Sequence, residues 1–438
     1  MDGSSPLAHD ANVEARMIDI GGSFVPEAPS NFENCGVDRE QLRGLALKLG
    51  YTVQKFSTEW MIEQLHLPQG LVMDLLQDFL EEKFVEILGE SGTLTYLYTI
   101  SRLGRERAER LFEISGYVGA APVSLVDYAA NLDWQIDRFS KVTSADMQQA
   151  LSDLVLSDEA KQVVGLALTS GRSLLIHGPP GNGKTSVGRL LHDAYSGDLW
   201  IPNAIAVGTS IIRLFDPQWH VPVHSELSHE DVQQVDHRWI RIERPFIVVG
   251  GELTIEGLDL GYDAAQKYYE APLHLKANGG TFLLDDLGRQ RVEPSELLNR
   301  WIIPLEHQVD YLTLNSGQKI RVPLRHMLAI STSLDPDAVV DPAFMRRIGY
   351  RLHLDYPSAE RYREIFERFA KRHGDSIAPG LVDYLIQRYE SEGRPLRSSE
   401  AGELIERARD ICRYENRSME LTETIMNTAW NGYFGNRA

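Results

Sequence analysis

The chain has 438 residues, room for roughly two to four domains with separate cores, and 63 acidic against 44 basic side chains give it a formal net charge of −19. That balance excludes a chain wrapped generally around nucleic acid or spread over an anionic membrane, since both reward a basic surface. Cys35 and Cys412 are too far apart in sequence to read as a disulfide framework. No 18-residue apolar span or secretory apolar segment occurs, so a cytoplasmic protein without a membrane partner is expected.

Residues 1–37 are rich in Gly, Pro, Ser and Asn and predict a partly ordered tail. Helical spacing follows over Arg39–Leu49, Ser57–Leu67 and Leu71–Lys83. Two strand-like runs, Phe84–Leu88 and Thr93–Ile100, flank a turn at Gly89–Gly92. Three helices and a β-wing predict a winged-helix domain over 38–118, and Tyr98–Ala108 resembles the strand-to-helix end of many bacterial winged-helix regulators. The helix that would read a DNA groove carries Asp74, Asp78, Glu81 and Glu82 against the single Lys83. Residues 1–135 hold 21 acidic and 10 basic side chains. Groove readers present Arg, Lys, Asn or Gln, so the domain is expected to dock protein or to serve as a spacer, and DNA is not favoured as a partner. The segment 119–139, opening Gly119-Ala-Ala-Pro-Val123, reads as a linker.

A nucleotide-binding α/β domain is expected over 140–356. Its signature follows the apolar run Ser173–His177 and precedes a helical pattern: Gly178, Pro179, Pro180, Gly181, Asn182, Gly183, Lys184, Thr185 and Ser186 match the phosphate loop G-x-x-x-x-G-K-[ST] in its strand–loop–helix setting. Glycines let backbone N–H groups converge on phosphates, and the helix adds the positive end of its dipole. Lys184 is suited to neutralise β- and γ-phosphate oxygens and Thr185 to hold Mg²⁺, which points to ATP and Mg²⁺ as ligands.

Residues 199–278 exceed what a minimal core needs before the next motif. His220, His224, His229 and His237 with Asp236 lack a zinc-ligand spacing, so no metal is expected there. Trp219, Trp239, Tyr262, Tyr268 and Tyr269 suit packing better than a pore loop that grips a substrate. Gly279–Asp286 then reads as an apolar strand ending in two carboxylates. Asp285 is the expected Mg²⁺-shell ligand, and Asp286 the group that orients or deprotonates the attacking water. A turn that caps the next helix would use the same pair, but its spacing from the phosphate loop favours the catalytic use.

Further on, Met327–Pro336 is an apolar strand ending in hydroxyls, Asp341–Arg347 precedes the strand-like Ile348–Leu354, and Gly393–Arg397 precedes a helix. Five elements in this order resemble the AAA+ ATPase family. The resemblance implies a P-loop AAA+ parallel sheet with helices on both faces, a C-terminal helical lid over 357–438 without strands, and a homo-oligomer, as a hexameric ring. It further implies a sensor-1 role for Ser333, with Thr332 as fallback, and an arginine finger at Arg346 or Arg347. It implies a sensor-2 role for Arg397 ahead of Arg394. The family's usual second acid is Glu; Asp286 is one methylene shorter, about 1.5 Å less reach. Misplacement of that order slows chemistry about a hundredfold. The helix and hairpin over Leu297–Pro323 resemble the pre-sensor-1 hairpin group, which includes MoxR-like chaperone ATPases. The whole chain most resembles a bacterial group of winged-helix ATPases with predicted chaperone activity, which implies a protein client.

Overall fold

The computed structural model describes residues 15–435 except 93–94, 140–141, 153, 196 and 225–228. Of the tail expected over 1–37, residues 1–14 lie outside the described residues, as does the expected domain start at 140. From Met17 the tail forms an antiparallel hairpin, Met17–Ile20 on Ser23–Pro26.

The front module packs helices Arg39–Tyr51, Thr58–Leu65 and Gln69–Glu81 against a three-stranded antiparallel sheet of Phe56–Ser57, Thr95–Ile100 and Val85–Gly92. Side-chain caps start the first two helices: Asp38 accepts from the Glu40 amide and Ser57 from the Trp60 amide. The turn expected at Gly89–Gly92 is instead strand, bulged at Ile87/Gly89 and Glu90/Gly92, with pairing that reaches Gly92 opposite Thr95. Bulges let the pairing run on past the two glycines, although beyond buried Val85 both Ile87 and Leu88 are exposed. On the acidic third helix, Asp78 accepts from Arg39 at 2.8 Å, and Glu82 pairs with Arg43.

The segment 119–139 is not a linker. Val123–Ser124 pairs in parallel with Ala204–Val207, and Leu125–Phe139 is a helix. Together with the long insertion they build a five-stranded sheet in the order Gly261–Asp263, Tyr268–Glu270, Ser210–Arg213, Ala204–Val207, Val123–Ser124. Val123, Tyr128 and Leu132 are buried against Leu199, Ile205 and Ile212 in one core with Leu312 and Ile320, from the hairpin Val309–Thr313 and Lys319–Pro323. Those apolar side chains need a surface that only distant sequence supplies, so local composition alone suggests a spacer. Tyr268, Tyr269 and Trp239 are buried here, as packing residues. His220 is held between the Lys276 carbonyl and the Asp216 amide, and Asp236 pairs with buried Arg238, which also donates to the carbonyls of Cys35 and Pro122. Among the described residues no group of three metal-ligating side chains gathers.

Behind this module lies a sheet of five parallel strands: β1 (Leu174–His177), β2 (Phe246–Val249), β3 (Thr281–Leu284), β4 (Met327–Thr332) and β5 (Tyr350–His353), in spatial order 2-3-4-1-5. Strand alternation feeds two separate cores. Leu174, Ile176, Leu283 and Ala329 meet Val187 and Leu191 on one face; Leu175, Phe282, Leu284 and Ile330 meet Leu297, Trp301 and Phe344 on the other. Helices therefore cover both faces, an α/β architecture. The helix Lys184–Asp193 lies close because Gly188 has no side chain: a Cβ there would stand 2.8 Å from Leu283 Cδ2.

Residues beyond Pro357 form helices Ala359–Arg372, Leu381–Ser391, Ser398–Tyr414 and Glu423–Phe434 around a core of Phe366, Leu385, Tyr389, Leu404 and Trp430. One correction concerns strands: Ser376–Ile377 pairs in parallel with Glu420–Leu421, a bridge too short to leave a period in the sequence. Cys35 and Cys412 are both buried thiols. Among the described residues no helix is long and apolar enough to cross a membrane.

Candidate nucleotide site

In a parallel sheet the crevice beyond the carboxyl ends of the strands is the place where loops converge on a ligand. Here the loop Gly178–Gly183 leaves β1 into that crevice with Gly178, Gly181 and Gly183 at φ values of 139°, 83° and 80°, the left-handed side that suits glycine. Gly178 passes so close to β5 that a Cβ would stand 2.1 Å from the Leu354 carbonyl oxygen. Lys184 opens the following helix, is 7% exposed, and donates from Nζ to the Gly178 and Pro179 carbonyls, both at 3.0 Å. Burial pulls its pKa down, against the opposing pull of Asp286 and Asp285. A buried ammonium whose hydrogen bonds among the described residues go to neutral carbonyls fits an anionic ligand.

Strand β3 delivers the two acids. Thr185 Oγ1 donates to Asp285 at 2.9 Å from Oδ2, so the hydroxyl and carboxylate that a divalent cation would share are already adjacent. Ser331 Oγ on neighbouring β4 also donates to Asp285, and the Asp286 amide donates to Ser331 Oγ at 3.1 Å. Asp286 itself has φ 51°, a left-handed conformation that costs a non-glycine residue about 1 kcal/mol and is tolerated best by Asp and Asn. Gln290 supports the turn, its Nε2 donating to the Asp285 carbonyl at 3.1 Å and the Gly250 carbonyl at 3.2 Å.

The hydroxyl strand resolves by alternation. Ser333 Oγ lies 3.4 Å from Asp286 Oδ1, but Ser331, two residues earlier on the same side, makes the closer contacts with the acid pair. Thr332 turns away and donates to the Leu287 carbonyl at 2.8 Å. Period two in Ser331-Thr-Ser333 was the available signal for Ser331.

Lid and loop meet directly. The Ser399 amide donates to the Gly181 carbonyl at 2.9 Å, and a Cβ on Gly181 would stand 3.4 Å from Arg397 Cδ. Asn182 is buried, receives the Ser398 amide at 3.4 Å, and among the described residues its own Nδ2 has no partner, an orphan donor inside the cradle. Beside Gly183 and Ser186 a cavity of about 480 Å³ runs between Leu156, Leu190, Ile365 and Phe369, apolar walls suited to a flat base. Pro179 and Pro180 complete the loop, with Pro180 exposed.

Arg346 and Arg347 do not join this site. Both line a larger cavity, about 730 Å³, at the other end of the sheet, where Ser173, Gly280, Met327 and Gly349 mark the strand starts. Arg347 is tied down, 3.0 Å from Glu306 and 2.8 Å from the Ala343 carbonyl. Arg346 is exposed, and among the described residues its Nε reaches only the Pro342 carbonyl of its own turn, at 3.2 Å.

Residues 358–432 match the model of a domain of unknown function (DUF8689). No curated protein matches the chain. Solved structures with a similar chain path include a variant of RuvB from Thermotoga maritima at 13% identity, covering 64% of this chain and 72% of that one with a TM-score of 0.39. NtrX from Brucella abortus is similar in its complex with ADP, at 16% identity, 64% and 56% coverage and a TM-score of 0.39. Its complex with ATP gives 17% identity, 74% and 62% coverage and a TM-score of 0.39.

Proposed function

We propose that this chain is an AAA+ ATPase of the MoxR-like, pre-sensor-1 hairpin group, hydrolysing ATP at the interfaces of a homo-oligomeric, hexameric ring to remodel or assemble a protein client. The observation that carries the reading is the junction of Thr185, Asp285 and Ser331 beside a glycine-lined loop with a buried Lys184. ATP would lie with its base in the apolar cavity and its phosphates on the loop amides. Thr185 and Asp285 would hold Mg²⁺, which supplies charge neutralisation on the phosphate oxygens. Asp286 and Ser333 orient the attacking water, and Asp286 accepts its proton. Arg346, free at the far end of the sheet, stabilises the transition state in the neighbouring subunit, while Arg347 anchors the turn that presents it. Within the front module, read as a winged helix, Asp78 and Glu82 already occupy Arg39 and Arg43, which supports protein docking over DNA.

The test is steady-state phosphate release against protein concentration. Specific activity that rises with concentration and then saturates is expected for a site completed between copies; activity independent of concentration in a monomer overturns the shared-site reading. The short reach of Asp286 supports a second reading, a nucleotide-dependent scaffold that turns over slowly, and tight ATP binding without turnover would favour it.

Asp286→Asn separates chemistry from folding. Asparagine tolerates the left-handed turn and keeps a contact to Ser333, but it cannot take a proton. Turnover is expected to fall about a hundredfold, with ATP affinity and Tm unchanged by calorimetry. An equal loss of Tm would make Asp286 a structural turn residue.

A further inference from the structure

Arg397 and Glu400 stand three residues apart where the lid helix Ser398–Tyr414 begins, the same end that hydrogen-bonds to Gly181 of the phosphate loop. Glu400 is 3% exposed, and a carboxylate at that depth is costly without a counter-charge. Arg397 provides it from NH1, 3.5 Å from Glu400 Oε1. The pairing is loose: among the described residues, Glu400 Oε2 and Arg397 Nε are both buried without a hydrogen-bond partner. Burial pushes the Glu400 carboxyl up, and the neighbouring Tyr389 hydroxyl with the charges of Arg397 and Arg394 pull it back. Arg394 is engaged elsewhere, 2.7 Å from Glu392 and with its guanidinium 4.2 Å over the Phe434 ring. Arg397, 38% exposed along its side chain, is therefore the arginine that pairs with the buried acid and lies beside the phosphate loop, its Cδ 3.4 Å from where a Cβ on Gly181 would stand.

We propose that Glu400 is an internal competitor of the γ-phosphate for Arg397. Without nucleotide, or with a diphosphate, the guanidinium rests on Glu400; a triphosphate draws it across Gly181 onto the γ-phosphate. Because Arg397 immediately precedes the lid helix, the choice of partner sets how that helix end sits on the loop, so Glu400 is a positioning residue that tells ATP from ADP. The proposal rests on the reading of Arg397 as a γ-phosphate ligand.

The experiment is calorimetric titration of the full chain with Mg·ATPγS and with Mg·ADP, in wild type, Glu400→Gln, Arg397→Ala and the double variant. Glutamine keeps the shape and removes the competing charge, so ATPγS affinity is expected to rise up to about fivefold while ADP affinity changes less than about twofold. Arg397→Ala is expected to weaken ATPγS selectively and to abolish the effect of Glu400→Gln. Equal shifts for both nucleotides, or a Glu400→Gln effect that persists without Arg397, would overturn the proposal. Glu400→Asp, which keeps the charge but withdraws it from Arg397, should shift affinity the same way by less, and it decides the question if the glutamine variant does not fold. Two other outcomes reach further: an unchanged ATPγS-to-ADP ratio in Arg397→Ala overturns the role of Arg397 and the proposal with it. Absence of binding to wild type overturns the nucleotide-site reading itself.

Discussion

Arg346→Ala is expected to lower ATP turnover by at least about a thousandfold while leaving ATP affinity and Tm near wild type. An arginine that neutralises charge on a transferring phosphoryl group contributes on the order of 10³ to 10⁵ in rate. Its removal should cost little else, since among the described residues its Nε meets only a carbonyl of its own turn. Arg347→Ala should behave differently: losing the links to Glu306 and the Ala343 carbonyl costs about 1 kcal/mol of stability and a smaller share of activity. Phosphate-release kinetics with thermal denaturation of both variants separate the two. If Arg347→Ala proves the dead but stable protein, the roles are exchanged.

Lys184→Ala is expected to weaken ATP binding and turnover by about a hundredfold or more, because the buried ammonium is the main fixed positive charge in the loop. The loop should keep its shape, being fastened to the lid through Ser399 and Gly181. Mixing provides the sharper measurement. A Lys184→Ala subunit retains Arg346, and an Arg346→Ala subunit retains an intact phosphate site. In a ring of head-to-tail contacts, equal mixing rebuilds roughly a quarter of the interfaces. Recovered phosphate release shows catalysis across subunits, whereas two dead proteins that stay dead when mixed place the arginine's action within one chain or remove it altogether.

Some of the candidate site was legible because its parts are contiguous. A phosphate loop needs its glycines and lysine within one turn of chain, so Gly178 to Thr185 can be read without knowing any neighbour. The acids Asp285 and Asp286 were legible because a buried parallel strand leaves an unbroken apolar run before them. Ser331 was missed because the usual sensor position suggested Ser333, and strand alternation puts both on the same side.

What the sequence by itself determined is the set of local strings: loop, acid strand, arginine turn, and the amphipathic helices of the lid. Their signals lie in spacing and periodicity, which adjacent residues dictate. Only the tertiary structure decided that 119–139 is a strand and helix of the β-rich module, since the surface that buries Val123 and Tyr128 comes from residues beyond 199. It also decided which arginine is free, with Glu306 claiming Arg347, and it set Asp286 in a left-handed turn held by Ser331. Finally it placed the Arg397–Glu400 pair, neighbours in sequence, against Gly181 of the distant phosphate loop. Each of these depends on which side chains packing brings together across long stretches of chain, and no local pattern encodes that.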